Sequence, residues 1–289
     1  MVQSPRIREQ LLFFKLRHKL REVKVMSIFT MKRMYRIFKD DGKTLIVAMD
    51  HGSAMNVFPD LIETGKVIED IVNNGADAFL TTFGIVKTFW KQLKDIGIIL
   101  RIDGGVSMLR CDPKSYSQLF SVQDALALGA DAVGCMGLPG TSDEHRTLNY
   151  LAKTSAEAHK WNVPVLAEML PGGFVKRELH TPENIAMAAR IGVELGADII
   201  KTDYPKDFEK FRQMTKGVYK PIVVLGGSKS DDPFQLLQMV KDAIDTGASG
   251  VAIGRNIWGY QDPGKMTEAL RRIIHDGSTV KEAYSVLKI

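Results

Sequence analysis

One phrase recurs four times in this chain and narrows the folds open to it. Gly75-Ala76-Asp77 precedes AFLTT, Gly129-Ala130-Asp131 precedes AVGCM, Gly196-Ala197-Asp198 precedes IIKT, and Gly247-Ala248-Ser249 precedes GVAIG. Each follows a stretch of helical periodicity, such as VIEDIVNN or MVKDAIDT. The glycine suits a left-handed helix C-cap, and the apolar run after it suits a buried parallel strand. Further strand candidates are TLIVAM (44–49), GIILRI (97–102), VPVLAEM (163–169) and PIVVLG (221–226). Roughly eight strands alternating with helices over about 245 residues predict a (β/α)8 barrel. No GxGxxG follows the first strand, which argues against a doubly wound open sheet.

Composition fits one soluble cytosolic domain, residues 31–289, behind a basic extension, residues 1–30. A hydrophobic content of 45% supports a sizeable core. No apolar run approaches the roughly 20 residues that span a membrane, so no membrane partner is expected. Cys111 and Cys135 are the two cysteines. They lack CxxC spacing and a histidine cluster, so neither a disulfide framework nor a metal site is indicated. Cys135 falls inside a strand and reads as a small core residue.

The net charge of +5 is unevenly placed. Residues 1–40 hold 11 Lys and Arg against 3 Asp and Glu, and the remainder holds 28 against 31. The barrel itself is slightly acidic, which disfavours nucleic-acid binding. The extension reads either as a basic amphipathic helix carrying Ile7, Leu11, Leu12, Phe14 and Leu16, or as a loose leader upstream of later starts at Met26 and Met31. Residues from Met31 to Phe38 read as a short helix capping the barrel floor.

Active sites of such barrels lie where the strands end, so the residues leaving each strand are the informative ones. Strand one ends in Asp50-His51-Gly52, strand three in Arg101 and Asp103, strand five in Glu168 and strand six in Lys201. A lysine is almost never buried unless something uses or pairs it. Freed of its proton in a dry site, its amine can attack a carbonyl to give a Schiff base. Salt-bridging to Asp203 or snorkelling to solvent is the plainer alternative. Strands seven and eight end in Gly226-Gly227-Ser228 and Gly254-Arg255-Asn256, the place where this fold holds phosphate on backbone N–H groups. Arg255 adds a two-pronged donor, and Lys229 a point charge. By strand alternation Asp50 shares the phase of Ala48, and His51 that of Met49, so strand geometry alone cannot turn both inward.

These tips, in this order, resemble the archaeal-type class I fructose-bisphosphate aldolases, also called DhnA-type and akin to other DeoC-like aldolases. The matching stretches are IVAMDHG (46–52), GADIIKT (196–202), PIVVLGGSK (221–229) and GASGVAIGRNIWGYQDP (247–263). The tail is most similar to that of the thiolase acting on phosphorylated autoinducer-2. The resemblance implies a Schiff base on Lys201, with Asp50 and His51 as the acidic residue and histidine of the family's DHG motif. Gly226, Gly227, Gly254 and Arg255 fall on its phosphate grip. It also implies metal independence, no cofactor, and a homo-oligomer of the kind that forms decamers from two pentameric rings.

One departure bears on the chemistry. Family aldolases carry a tyrosine proton donor just beyond strand five, where this chain has Leu170. Glu168 shares the phase of Leu170 and is expected to take over the hydroxyl proton, with His51 and Asp203 as other candidates. Arg101 and Asp103 are expected to meet a polar substrate. The resulting expectation is a cytoplasmic aldolase acting on a phosphorylated ketose. The alternatives are thiolase-like transfer to coenzyme A as co-substrate and a non-catalytic phosphosugar-binding barrel.

Overall fold

The computed structural model describes residues 28–288 apart from 54, 56, 110–115 and 228. Ser228, Cys111 and the extension before residue 28 lie outside the described residues. Eight parallel strands close a barrel in sequence order: β1 (Thr44–Met49), β2 (Ala78–Thr81), β3 (Gly97–Arg101), β4 (Ala132–Gly137), β5 (Val165–Met169), β6 (Ile199–Thr202), β7 (Ile222–Leu225) and β8 (Gly250–Ile253). The expected (β/α)8 architecture is the observed one. Around it run α1 (Ile28–Ile37), α2 (Thr64–Asn73), α3 (Phe83–Thr88), α4 (Trp90–Leu93), α5 (Val122–Ala127), α6 (Glu144–Lys160), α7 (Pro182–Glu194), α8 (Phe208–Gly217), α9 (Pro233–Asp245), α10 (Arg255–Trp258), α11 (Pro263–Ile274) and α12 (Val280–Val286). No helix among the described residues is long and apolar enough to cross a membrane.

The repeated phrase explains how the barrel is joined. Gly75, Gly129, Gly196 and Gly247 all have positive φ, from 85° to 112°. Each closes its helix as a Schellman motif: the alanine N–H after it reaches back to Ile71, Ala125, Gly192 or Ala243. The aspartate then does a second job. Asp77 accepts from Leu45 N at 2.6 Å, Asp131 from Ile98 N at 3.0 Å, and Asp198 from Val165 N at 3.1 Å. Each carboxylate thus ties the start of its own strand to the start of the preceding one.

Period-two alternation sorts the core into two layers. Ile46, Ala48, Leu80, Ile99, Leu166, Ile199 and Val223 fill the barrel, and Val47, Phe79, Leu100, Val165 and Ile200 face the helices. Helix α1 seals the floor, with Ile37 and Phe38 packed into the inner layer. It sits so close that a side chain on Gly97 would meet the Arg36 carbonyl at 2.4 Å. Cys135 is buried among the outer layer, and burial pushes its thiol well above the usual range, as suits an inert core cysteine.

His275, which follows α11, bridges two carboxylates at the floor: Nδ1 lies 2.9 Å from Asp41 and Nε2 2.9 Å from Asp77. Burial opposes its charge, but the two carboxylates prevail and raise its pKa. A raised folded value means stability that is complete below the unfolded value of about 6.5 and is lost as pH climbs through the folded one. His275→Gln is therefore expected to lower stability by on the order of 1 kcal/mol at about pH 6. The gap to wild type should narrow as pH rises, which urea denaturation across pH 6–9 would measure. A gap independent of pH would show that His275 acts through packing alone.

Candidate active site

Alternation decides which residues the barrel mouth receives. Asp50, Arg101, Glu168 and Lys201 all share the phase of the inner layer, following Ala48, Ile99, Leu166 and Ile199. Glu168 on β5 and Lys201 on β6 are direct register partners. They meet as an ion pair, Lys201 Nζ to Glu168 Oε1 at 2.8 Å, with both side chains about 6% exposed.

Arg101 joins the rest. Its Nε donates to Asp50 Oδ2 at 2.9 Å, one terminal nitrogen to Asp103 Oδ1 at 3.4 Å, and the other to Glu168 Oε2. Asp103 also accepts from Met136 N at 2.7 Å. Arg101 and Asp103 were expected to meet substrate; the structure engages them with each other and with their neighbours. Glu168 turns into the barrel as its phase predicts, and its two oxygens are bonded to Lys201 and Arg101.

Three carboxylates and two cations set the local charge. Burial works against ionised Asp50, but Arg101 and Lys201 outweigh it and hold the carboxyl at about 2. Burial likewise opposes Glu168, and the same cations, Lys201 foremost, bring it below its usual value. Asp103 differs, because burial prevails and raises it. Arg101 is driven the other way: burial disfavours its charge, yet the three carboxylates raise its pKa well above the ordinary one.

His51 reaches the same region because β1 ends at Met49 and the chain turns into a short 3-10 helix, His51–Ser53. Its Nδ1 comes to 3.5 Å from Asp50 Oδ1. The ring stands edge-on to Trp258, centroids 5.6 Å apart, and burial lowers its pKa. Asp203, beyond β6, is bonded to His180 Nδ1, and His180 Nε2 lies 2.9 Å from Gly173 O.

The ends of β7 and β8 form the other side of the mouth. Gly227 has φ +67°, and a side chain on Gly254 would meet the Ala48 carbonyl at 2.4 Å. Arg255 donates to Gly227 O at 3.2 Å, and its Nε is buried without a hydrogen-bond partner. Lys229 is exposed and lies 3.7 Å from Asp60. Two residues of α10 that alternation does not single out hold this region. Asn256 bonds Gly226 O and Ser230 N, and Trp258 Nε1 donates to Ala48 O at 3.0 Å. Tyr116, His180 and Trp258 are the neighbours that sequence reasoning missed; Asn256 stood in the strand-eight tip, and GRNIW carried the only hint of Trp258.

A family model described as DeoC/LacD family aldolase matches residues 44–260. The chain belongs to that family. Among relatives of this aldolase is the 2-amino-3,7-dideoxy-D-threo-hept-6-ulosonate synthase of Halobacterium salinarum, 34% identical over 87% of this chain and 93% of the other. The class 1 fructose-bisphosphate aldolase of Thermoproteus tenax is 31% identical over 88% and 98%. A solved Schiff-base-forming fructose-1,6-bisphosphate aldolase superposes with a TM-score of 0.75 at 31% identity, covering 86% of this chain and all of that one. The expectation of a class I aldolase therefore stands. Among the described residues no group of three or more His, Cys, Asp and Glu side chains is arranged to hold a metal ion.

Removing the central cation should cost more than removing any one carboxylate. Arg101→Met leaves Asp50, Asp103 and Glu168 buried around Lys201 alone. Breaking a buried pair from one side costs about 3–5 kcal/mol. The expected outcome is a stability loss in that range by chemical denaturation, with Arg101→Lys recovering only part of it. A loss under about 1 kcal/mol, the range of surface pairs, would mean that the network is solvated.

Proposed function

We propose that this aldolase makes or breaks a carbon–carbon bond in a phosphorylated ketose through an imine on Lys201, yielding a dihydroxyacetone-phosphate-like product and an aldehyde. One observation carries the proposal: a lysine buried at the outgoing end of a barrel strand, hydrogen-bonded to a carboxylate that a second cation holds in place. The names of the Thermoproteus aldolase and the Halobacterium synthase support carbon–carbon chemistry on sugar-derived substrates.

To attack a ketone, Lys201 must give up a proton, and Glu168 Oε1 at 2.8 Å is the acceptor in reach. Arg101 keeps that carboxylate oriented. Glu168 then returns the proton to the carbinolamine hydroxyl, which leaves as water. The protonated imine puts positive charge where the ammonium stood. The setting that holds the resting amine therefore also holds the iminium, the electron sink for bond cleavage. On this reading Glu168 serves the amine first.

Phosphate would lie between the β7 and β8 ends. Gly226, Gly227 and Gly254 let backbone approach an anion closely, and the unpartnered Nε of Arg255 offers a donor to it. Binding there orients the substrate at a point remote from the reacting carbons.

Borohydride with dihydroxyacetone phosphate should add mass at Lys201, and Lys201→Met should abolish the adduct. Glu168→Gln should slow adduct formation by about 10²-fold or more. Mass spectrometry of the peptide carrying residues 199–202 would decide the matter. An adduct on a different lysine, with Lys201→Met still active, ends the proposal.

Arg255→Ala is expected to weaken binding of a phosphorylated ketose by about ten- to a hundredfold, the worth of a charge-assisted bond. The dephosphorylated sugar should lose little. Equal losses for the two, measured by calorimetry or KM, would make Arg255 structural.

A further inference from the structure

The imine chemistry leaves one proton unassigned. When an enamine adds to an aldehyde, its electron pair forms the carbon–carbon bond and the carbonyl pair moves onto oxygen. That oxygen must then take up a proton, and cleavage must take the proton away again. The carboxylates in the mouth are poorly placed to carry it. Asp50 is bound to Arg101, Glu168 to Lys201 and Arg101, and Asp103 to Arg101 and Met136 N. His180 is turned to Asp203 and Gly173 O.

A hydroxyl comes from the loop after β3. That loop folds back as a two-stranded antiparallel ribbon, Asp103–Gly104 against Ser117–Gln118. Leu119 N and Phe120 N both donate to Ile102 O, at 2.7 and 3.1 Å, which pins the returning strand to the end of β3. Tyr116 stands one residue before the ribbon pair, where the register sets it opposite Gly105, and its phenol lies within electrostatic reach of Asp103, Arg101 and Glu168. Its backbone N–H is anchored on Asp143 Oδ2 at 3.0 Å, and its ring is buried in a small cluster with Val106, Leu138 and Leu170. Leu138 and Leu170 follow β4 and β5, so the phenol is held against the wall that carries Glu168.

We propose that Tyr116 is the acid–base residue for the substrate oxygen at the reacting carbon, an inference that rests on the aldol reading above. In condensation the phenol O–H passes its proton to the nascent alkoxide. The phenolate then regains a proton from solvent, which has received the one lost from carbon in forming the enamine. Cleavage runs the same transfers backwards. Burial, reinforced by Asp103, raises the phenol to about 12, so at neutral pH Tyr116 stands protonated as a donor. A neutral donor suits this place, because Glu168, whose charge reaches it, is already anionic.

Tyr116→Phe removes the proton and keeps the ring. Three measurements on the full chain separate the steps: borohydride trapping with dihydroxyacetone phosphate, exchange of its carbon-bound hydrogen in deuterated water by NMR, and condensation with glyceraldehyde 3-phosphate. Trapping and exchange should stay within about threefold of wild type while condensation falls by about 10²–10⁴-fold. Normal condensation in Tyr116→Phe overturns the assignment. So does a parallel loss of all three, which would show a packing role in the Leu170 cluster. Wild type that exchanges but does not condense overturns it too, by removing the step it serves. Failure of the imine reading looks different: no adduct and no exchange in the wild-type protein.

Discussion

Arg101 is the charge on which the barrel mouth depends. A guanidinium keeps its proton at any pH a protein meets, and it presents several donors in a fixed plane. Three buried carboxylates can therefore gather around it without a proton being forced onto each. Its Nε orders Asp50 just past β1, and its terminal nitrogens order Asp103 just past its own strand β3 and Glu168 on β5. Glu168 in turn orders Lys201 on β6. The position of the amine is fixed across half the circumference of the barrel by one side chain.

Such a network is a weak source of stability, since burying charges costs roughly what their pairing returns. What it supplies is arrangement. An amine and a carboxylate stand 2.8 Å apart, and on the proposed reading little need move when the ammonium becomes an iminium.

Much of this was legible in the sequence, for a definite reason. Phase along a strand is local, so the inward turn of Asp50, Arg101, Glu168 and Lys201 follows from counting by twos from Ala48, Ile99, Leu166 and Ile199. The helix ends at Gly75, Gly129, Gly196 and Gly247 were equally readable, because a Schellman cap involves only residues near in sequence. Partner choice was not readable. That Arg101 spends its donors on three carboxylates depends on how strands one, three and five face one another across the barrel. Tyr116 was invisible for a different reason: a ribbon that doubles back from β3 has no periodic signature. His51 shows the limit of phase counting, since the turn after Met49 lets it approach Asp50 from the opposite alternation.

The aspartates of the recurring phrase occur in front of β2, β4 and β6, never in front of an odd-numbered strand. Each bonds backward, to β1, β3 or β5. The ring is thus assembled from strand couples rather than from eight equivalent staves. Each of the first three couples carries its own acceptor and its own donor, so it can be duplicated or exchanged whole without orphaning a carboxylate; the fourth, with Ser249 before β8, has no carboxylate to orphan. A break inside a couple would leave Asp77 or Asp131 buried beside a missing amide. The lower rim therefore sets the units in which such a barrel can be cut and rejoined, while the upper rim remains free to change its chemistry.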